Sequence, residues 1–280
     1  MLGVGLALAA SVMWGFGDFI GGMKSRVLPV LAVLLCSQLV GLAWIGIVAL
    51  VANDPAPGAR YVAMAALSAL SGTAGLAAFF RAIAVGKMSV VVPIAATSAG
   101  VPVVFGIATG DRPHALQLVG MFVALAGAVM ASREPDPEGG RRGRVAGGAL
   151  LAALSAALIG WFFVTIDVAS DGGPVWASLV NRATSVTMIV LAALVVRPAL
   201  RAARPHAPAL ALAGTLDVSA NLAFAAATTK GLVSLVSVAG SLYPVITVLL
   251  ARIVLREHVH RIQEIGVAAA LGGVVLIAAG

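Results

Sequence analysis

The chain is 280 residues long, 61% hydrophobic and only 10% charged, with a mean hydropathy of +1.06. Soluble domains carry roughly 25% charged residues, so a water-soluble globule is excluded: too few polar side chains remain to cover one. A formal net charge of +7 raises nucleic acid as a partner and is set aside, because Lys and Arg are scattered through short loops with no basic face and no interleaved aromatics. The partner this composition implies is a lipid bilayer.

A spanning helix needs about 20 mainly apolar residues, and ten such segments fit between the loops. They run over residues 2–21, 29–51, 61–84, 89–108, 116–132, 146–167, 175–196, 208–228, 232–253 and 263–279. Strands are not expected, since the apolar runs are continuous and lack the two-residue alternation of a barrel. The first segment has no basic leader and no convincing cleavage site, so it is read as a retained span and not as a signal peptide. Tight turns at Gly86-Lys87 and Lys230-Gly231 make spans three and four, and eight and nine, antiparallel hairpins. The single cysteine, Cys36, lies inside an apolar run and provides neither a disulfide nor a multi-cysteine metal site.

Between spans five and six lies Arg133-Glu134-Pro135-Asp136-Pro137-Glu138-Gly139-Gly140-Arg141-Arg142-Gly143-Arg144, in which every residue is charged, Pro or Gly. It has no apolar face to bury, so residues 133–145 are expected to lie in water as a linker between a first repeat, 1–132, and a second, 146–280. The two halves superimpose by sequence. Trp14-Gly15-Phe16 lies over Ile159-Gly160-Trp161, Pro29 over Pro174, Gly86 over Gly231 and Ser89 over Ser234, all at a spacing of 145. Asp111-x5-Gln117-x2-Gly120 matches Glu257-x5-Gln263-x2-Gly266 at a spacing of 146, and Ala126-Gly127 falls over Gly272-Gly273. Five spans per copy is an odd number, which obliges the second copy to enter the membrane from the opposite side. The expected fold class is therefore all-α integral membrane, with ten transmembrane helices as two inverted five-helix repeats, an arrangement characteristic of secondary transporters.

These residues resemble the EamA-type transporters of the drug/metabolite transporter superfamily. The resemblance covers essentially the whole chain and rests on the two five-helix copies, on Trp14-Gly15 in the first span, and on the acid-x5-Gln-x2-Gly element that opens the fifth and tenth. Tyr243-Pro244 ahead of Glu257 is similar to the family pattern, whereas the first copy departs from it with Gly100-Val101-Pro102 and Asp111. The resemblance implies transport of a small molecule without naming the cargo, and termini on the cytoplasmic side. Loop charge points the other way. Fourteen Lys and Arg fall on the side opposite the termini and only Arg60, Arg112 and Lys230 on the terminal side, so the positive-inside rule places both termini outside.

Ionisable residues inside a membrane cost about 2.5 to 3.5 kcal/mol each on insertion scales and are functional candidates. Arg182 lies in span seven, and Asp217 in span eight with Asn221 one turn later on the same face. Counted along their helices at 1.5 Å per residue, Arg182 lies about 21 Å and Asp217 about 14 Å from the Arg-rich side, near enough in depth for the side chains to meet. Two readings stand: an ion pair that pins neighbouring helices, or a cavity-lining pair that binds cargo or a proton. Asp18 with Arg81 near the Arg-rich end, and Asp167 with Lys230 near the terminal end, are read either as gates or as interfacial anchors.

Spans four and nine are expected to line a cavity. Pro93, Pro102 and Pro244 interrupt them, and each proline frees a backbone carbonyl that needs a polar neighbourhood. Around them stand Thr97, Ser98, Ser237, Ser241 and Tyr243, which serve either the cavity or helix packing. Trp14 and Trp161 belong to matching parts of the copies and either stack on cargo or fill space. Gln38, in mid-helix, is a cargo contact or a polar clasp between helices. Enzyme motifs are missing: no HExxH, no GxxxxGK[ST], and no Cys and His set for a metal. His258 and His260 beside Glu257 read as a solvated loop in preference to a metal site. The sequence thus implies a non-enzymatic carrier without a cofactor, with an intramembrane enzyme, an assembly protein or a channel as the competing classes.

Overall fold

In hydrocarbon no water is available to satisfy backbone N–H and C=O groups, so an apolar run of this length is stable only when the groups bond within the segment, as a helix. The computed structural model describes residues 1–25, 27–85, 94–131, 142–254 and 260–280. Its helices are α1 (Leu2–Ser25), α2 (Val30–Ala52), α3 (Ala59–Val85), a 3₁₀ turn (Ala96–Ala99) leading into α4 (Gly100–Thr109), and α5 (Ala115–Ala131). There follow α6 (Arg142–Ser170), α7 (Pro174–Val196), a 3₁₀ segment (Leu200–His206) leading into α8 (Ala207–Thr228), α9 (Val233–Gly240), α10 (Tyr243–Val254) and α11 (Arg261–Ala279). No strand occurs among the described residues.

Among the described residues, seven helical stretches are long and apolar enough to cross a membrane: Leu2–Ser25, Val30–Ala52, Ala59–Phe79, Gly148–Ser170, Pro174–Val196, Leu200–Thr228 and Arg261–Ala279. The other three of the ten expected segments give shorter helices. Ala96–Thr109 begins just after residues outside the described set, Ala115–Ala131 has 17 residues, and the ninth is divided between α9 and α10. The linker also ends earlier than expected: residues 142–145 already belong to α6. Gly86, Lys87, Ser89, Pro93, Glu257, His258 and residues 133–141 lie outside the described residues.

The chain ends its helices alike in both halves. Asn53 after α2 and Arg197 after α7 each take φ 50°, and their N–H groups return to Ala49 O and Ala193 O, an αL cap that satisfies a terminal carbonyl. Leu50, Val51 and Val195 are each more than 80% exposed, as the lipid-facing side of a spanning helix requires. The main core gathers Trp14, Met121, Phe163, Phe224 and Ile277 from α1, α5, α6, α8 and α11.

Packing runs chiefly between the halves and obeys the repeat. α1 lies on α8 while its counterpart α6 lies on α3; α2 packs on α8 while α7 packs on α3; α2 meets α7, and α5 meets α11. Small residues make the last contact close. A Cβ on Gly120 would stand 2.8 Å from Ile277 N, and one on Gly127 2.7 Å from Gly266 O. The partner number falls as the α5 number rises, so α5 and α11 are antiparallel. Met1, Arg112, Gly231 and Ile277 border one cavity, and Gly280 abuts Gln117, so both termini lie at one end of the bundle.

Candidate functional site

The site begins where the helices are broken. Proline has no N–H to offer the carbonyl four residues back. Pro102 leaves Ser98 O without its helical partner, and the 3₁₀ turn Ala96–Ala99 lies there; Pro244 does the same to Gly240 O, where α9 stops and Ser241 and Leu242 intervene before α10. Although the two prolines stand 142 apart, the interruptions fall over one another at a spacing of 145, Ala96-Thr97 over Ser241-Leu242. Each is met by a glycine of the other half. A Cβ on Gly15 would stand 3.0 Å from Tyr243 O and 2.5 Å from Ile246 Cβ; one on Gly160 would stand 2.5 Å from both Ser98 O and Val101 Cβ. The repeated Trp14-Gly15 and Ile159-Gly160 positions therefore let a broken helix approach the backbone of α1 or α6.

Three polar side chains from three helices meet beside this region. Arg182 Nη2 on α7 lies 2.7 Å from Asp217 Oδ2 on α8. Arg182 Nη1 donates to Gln38 Oε1 on α2, and Gln38 Nε2 donates to Asp217 Oδ2 at 3.4 Å. The Arg182 side chain is 3% exposed and that of Asp217 31%, so the arginine is buried and the aspartate partly exposed. Buried charge is tolerated only when paired and hydrogen-bonded; Asp217 pairs the guanidinium and Gln38 adds one hydrogen bond, while Arg182 Nε has no hydrogen-bond partner among the described residues. Glycine again permits the approach: a Cβ on Gly41 would stand 3.0 Å from Gly214 O and 3.7 Å from Arg182 Nε, and Gly214 sits directly on Ser37 O. Gln38 comes from the first half, Arg182 and Asp217 from the second.

Other expected residues divide. Trp14 is buried in an aromatic cluster, with ring centroids 6.2 Å from Phe163, 5.6 Å from Phe224 and 6.3 Å from Tyr243. Tyr243 is half-buried. Trp161 is 43% exposed and touches Phe105, 6.5 Å away, on another face; its counterpart in the repeat is Phe16 and not Trp14. Ser98, Ser237 and Ser241 are buried, Thr97 is exposed and bonds back to Ile94 O, and Asn221 is half-buried one turn beyond Asp217. No ion pair joins Asp18 to Arg81, or Asp167 to Lys230, among the described residues. Asp18 instead lies within electrostatic reach of Asp217, and Asp167 near Asp171, Asp111 and Thr228.

Three contacts had no counterpart among the sequence expectations. Asn181 Nδ2 donates to Ser68 Oγ at 2.7 Å in the buried contact of α7 with α3. Trp44 Nε1 donates to Ser219 Oγ at 3.2 Å between α2 and α8. Ser234 N–H, in the first turn of α9, donates to Asp111 Oδ2 at 3.0 Å, so the acid of the first repeated element caps a helix of the other half. The glutamines of that element act locally. Gln117 Oε1 accepts from His114 N and Gln263 Oε1 from His260 N, at 2.9 and 3.0 Å, closing the first turns of α5 and α11.

A charged cluster inside apolar helices, shared by two halves that pack reciprocally, is a candidate functional site in a membrane protein. The model of the EamA-like transporter family matches residues 1–133 and 146–279. The chain belongs to the EamA-like transporter family. No curated protein matches it in sequence. A protein of known crystal structure aligns with 99% of this chain over 98% of its own, with a TM-score of 0.79 and 16% identity, a likeness that shows the fold alone. This EamA-like chain is thus an all-helical, multi-pass membrane protein of two repeats, from a family of transporters.

Proposed function

We propose that the chain is a secondary carrier of a small organic solute in the cell membrane, working by alternating access. Its units would be two inverted five-helix repeats, 1–132 and 146–280, joined by 133–145. The observation that carries this reading is the Gln38, Arg182 and Asp217 cluster, drawn from both halves, with the arginine buried and the aspartate partly exposed. Rocking of one half against the other changes the surroundings of such a cluster while the residues on each helix stay in place. The two broken helices beside it, with Ser98, Ser237, Ser241 and Tyr243, line the same region in this reading, and Asn221 extends it along α8. The antiparallel run of α5 and α11 supports the inverted arrangement, because equivalent helices of inverted repeats point in opposite directions.

No nucleotide-binding motif is present in the sequence, so active transport would draw on an ion or cargo gradient. The test is counterflow in vesicles holding the purified protein, with cargo first found by a thermal-shift screen, since a ligand raises the stability of the form it binds. Saturable uptake of labelled cargo driven by unlabelled cargo inside is the expected result. Uptake that rises without saturation and ignores internal cargo would overturn the carrier reading.

A further inference from the structure

The charges gathered in the site do not cancel. Arg182 is committed to Asp217 and Gln38, and Asp18 is left over. It stands on α1 one turn beyond Trp14 on the same face. Its neighbour Gly17 abuts α8, where an added Cβ would lie 3.4 Å from Ala213 O and 3.7 Å from Asp217 N. Asp18 occupies an exposed position of α1, within electrostatic reach of Asp217 and of the Tyr243 hydroxyl. No cationic partner bonds it among the described residues. With both carboxylates ionised, one arginine and two aspartates leave this group of spans one positive charge short, a deficit that a bound cation offsets.

Resting on the carrier reading above, we infer that the cargo is a small organic cation, an amine protonated at neutral pH, and that the Asp18 carboxylate is its counter-ion. Tyr243 lies beside that position with Trp14, Phe163 and Phe224 behind it, so an apolar body attached to the amine meets aromatic surface, and the ring face itself attracts a cation. An anionic cargo fits poorly, because Arg182 is buried behind Gln38 and Asp217 and would have to give up one of them. A bare metal ion is not favoured either: no group of three His, Cys, Asp or Glu that could hold one occurs among the described residues.

The experiment is a thermal-shift screen of the purified full-length protein with amines, alcohols and carboxylates matched on common carbon skeletons, phenethylamine, 2-phenylethanol and 3-phenylpropionate forming one set. The expected result is that amines raise Tm while their alcohol and carboxylate partners do not. Asp18→Asn is expected to keep the wild-type Tm or exceed it, having lost an unpaired charge, and to bind the stabilising amines at least tenfold more weakly; Asp18→Glu keeps part of the affinity. Stabilisation by alcohols or carboxylates, or amine binding unchanged in Asp18→Asn, overturns the inference and leaves the carrier reading standing. A library in which no compound of any charge stabilises the protein removes the cargo site itself. Should Asp18→Asn not fold, the charge preference of the unaltered protein decides alone.

Discussion

Gly15 faces Tyr243 across the break between α9 and α10, so closely that a methyl group on residue 15 would stand 3.0 Å from the Tyr243 carbonyl and 2.5 Å from Ile246 Cβ. Ile246 is β-branched and its Cβ is fixed to the helix, so the clash is relieved only by moving α10. Gly15→Ala is expected to cost about 1 to 3 kcal/mol, the usual range for overfilling a packed site. Gly5→Ala, on the same helix with nothing within 4 Å, is the control. Thermal unfolding in detergent checks the pair: the Gly15 variant should melt lower, and equal melting would show that α10 yields freely.

Removing one partner of the Arg182–Asp217 pair leaves a buried charge alone. Asp217→Asn is expected to lower stability by about 3 kcal/mol, because the guanidinium has no other carboxylate bonded to it among the described residues. Arg182→Ala combined with Asp217→Ala should be milder than the sum of the single changes. The double-mutant cycle is read from thermal unfolding, and strict additivity would mean that the 2.7 Å contact carries no coupling energy.

Neighbouring glycines within α11 should behave oppositely. Gly272 has open space around it, whereas a side chain on Gly273 would run into Ala124 N and the Gly120 carbonyl. Gly273→Leu is expected to prevent α5 and α11 from closing and to abolish folded protein on size-exclusion chromatography. Gly272→Leu should elute as the unaltered protein does.

Loop charge yields a prediction about sidedness. In a Cys36→Ser background, a cysteine at exposed Ala202, among Arg197, Arg201 and Arg204, should be shielded from an impermeant thiol reagent in intact cells. A cysteine at exposed Asp54, at the opposite end of α2 and α7, should be labelled. The reverse pattern would restore the cytoplasmic termini that the family resemblance implies.

Much of this architecture was legible because the repeated residues do the same thing twice. The spacing that aligns Gly15 with Gly160 also aligns Tyr243 with Ser98, which those glycines touch, and Gln117 with Gln263 recurs because both close a first helical turn. Depth counting brought Arg182 and Asp217 to a similar level, and the structure pairs them. Rotation about a helix axis was not legible. Whether Asn181 faces Ser68, or Asp18 faces Asp217 and not Arg81, depends on which side of each cylinder meets its neighbour, and long apolar runs with little amphipathic contrast do not encode that. Ten spans were read from hydropathy because a broken helix keeps its apolar composition; the interruption at Ser241 and Leu242 changes hydrogen bonding without changing polarity.

The reciprocal packing of the halves has a consequence for how the protein is made. α1 rests on α8, α3 on α6 and α5 on α11, so when the ribosome has released only the first half, Gly15, Gly120 and Gly127 all face partners not yet synthesised. The early segment must wait in the lipid with its seams uncovered and Gln38 unanswered until the later one arrives. Two separately encoded halves should therefore assemble only when produced together in one membrane. A truncated first half made alone is a natural target for membrane quality-control proteases.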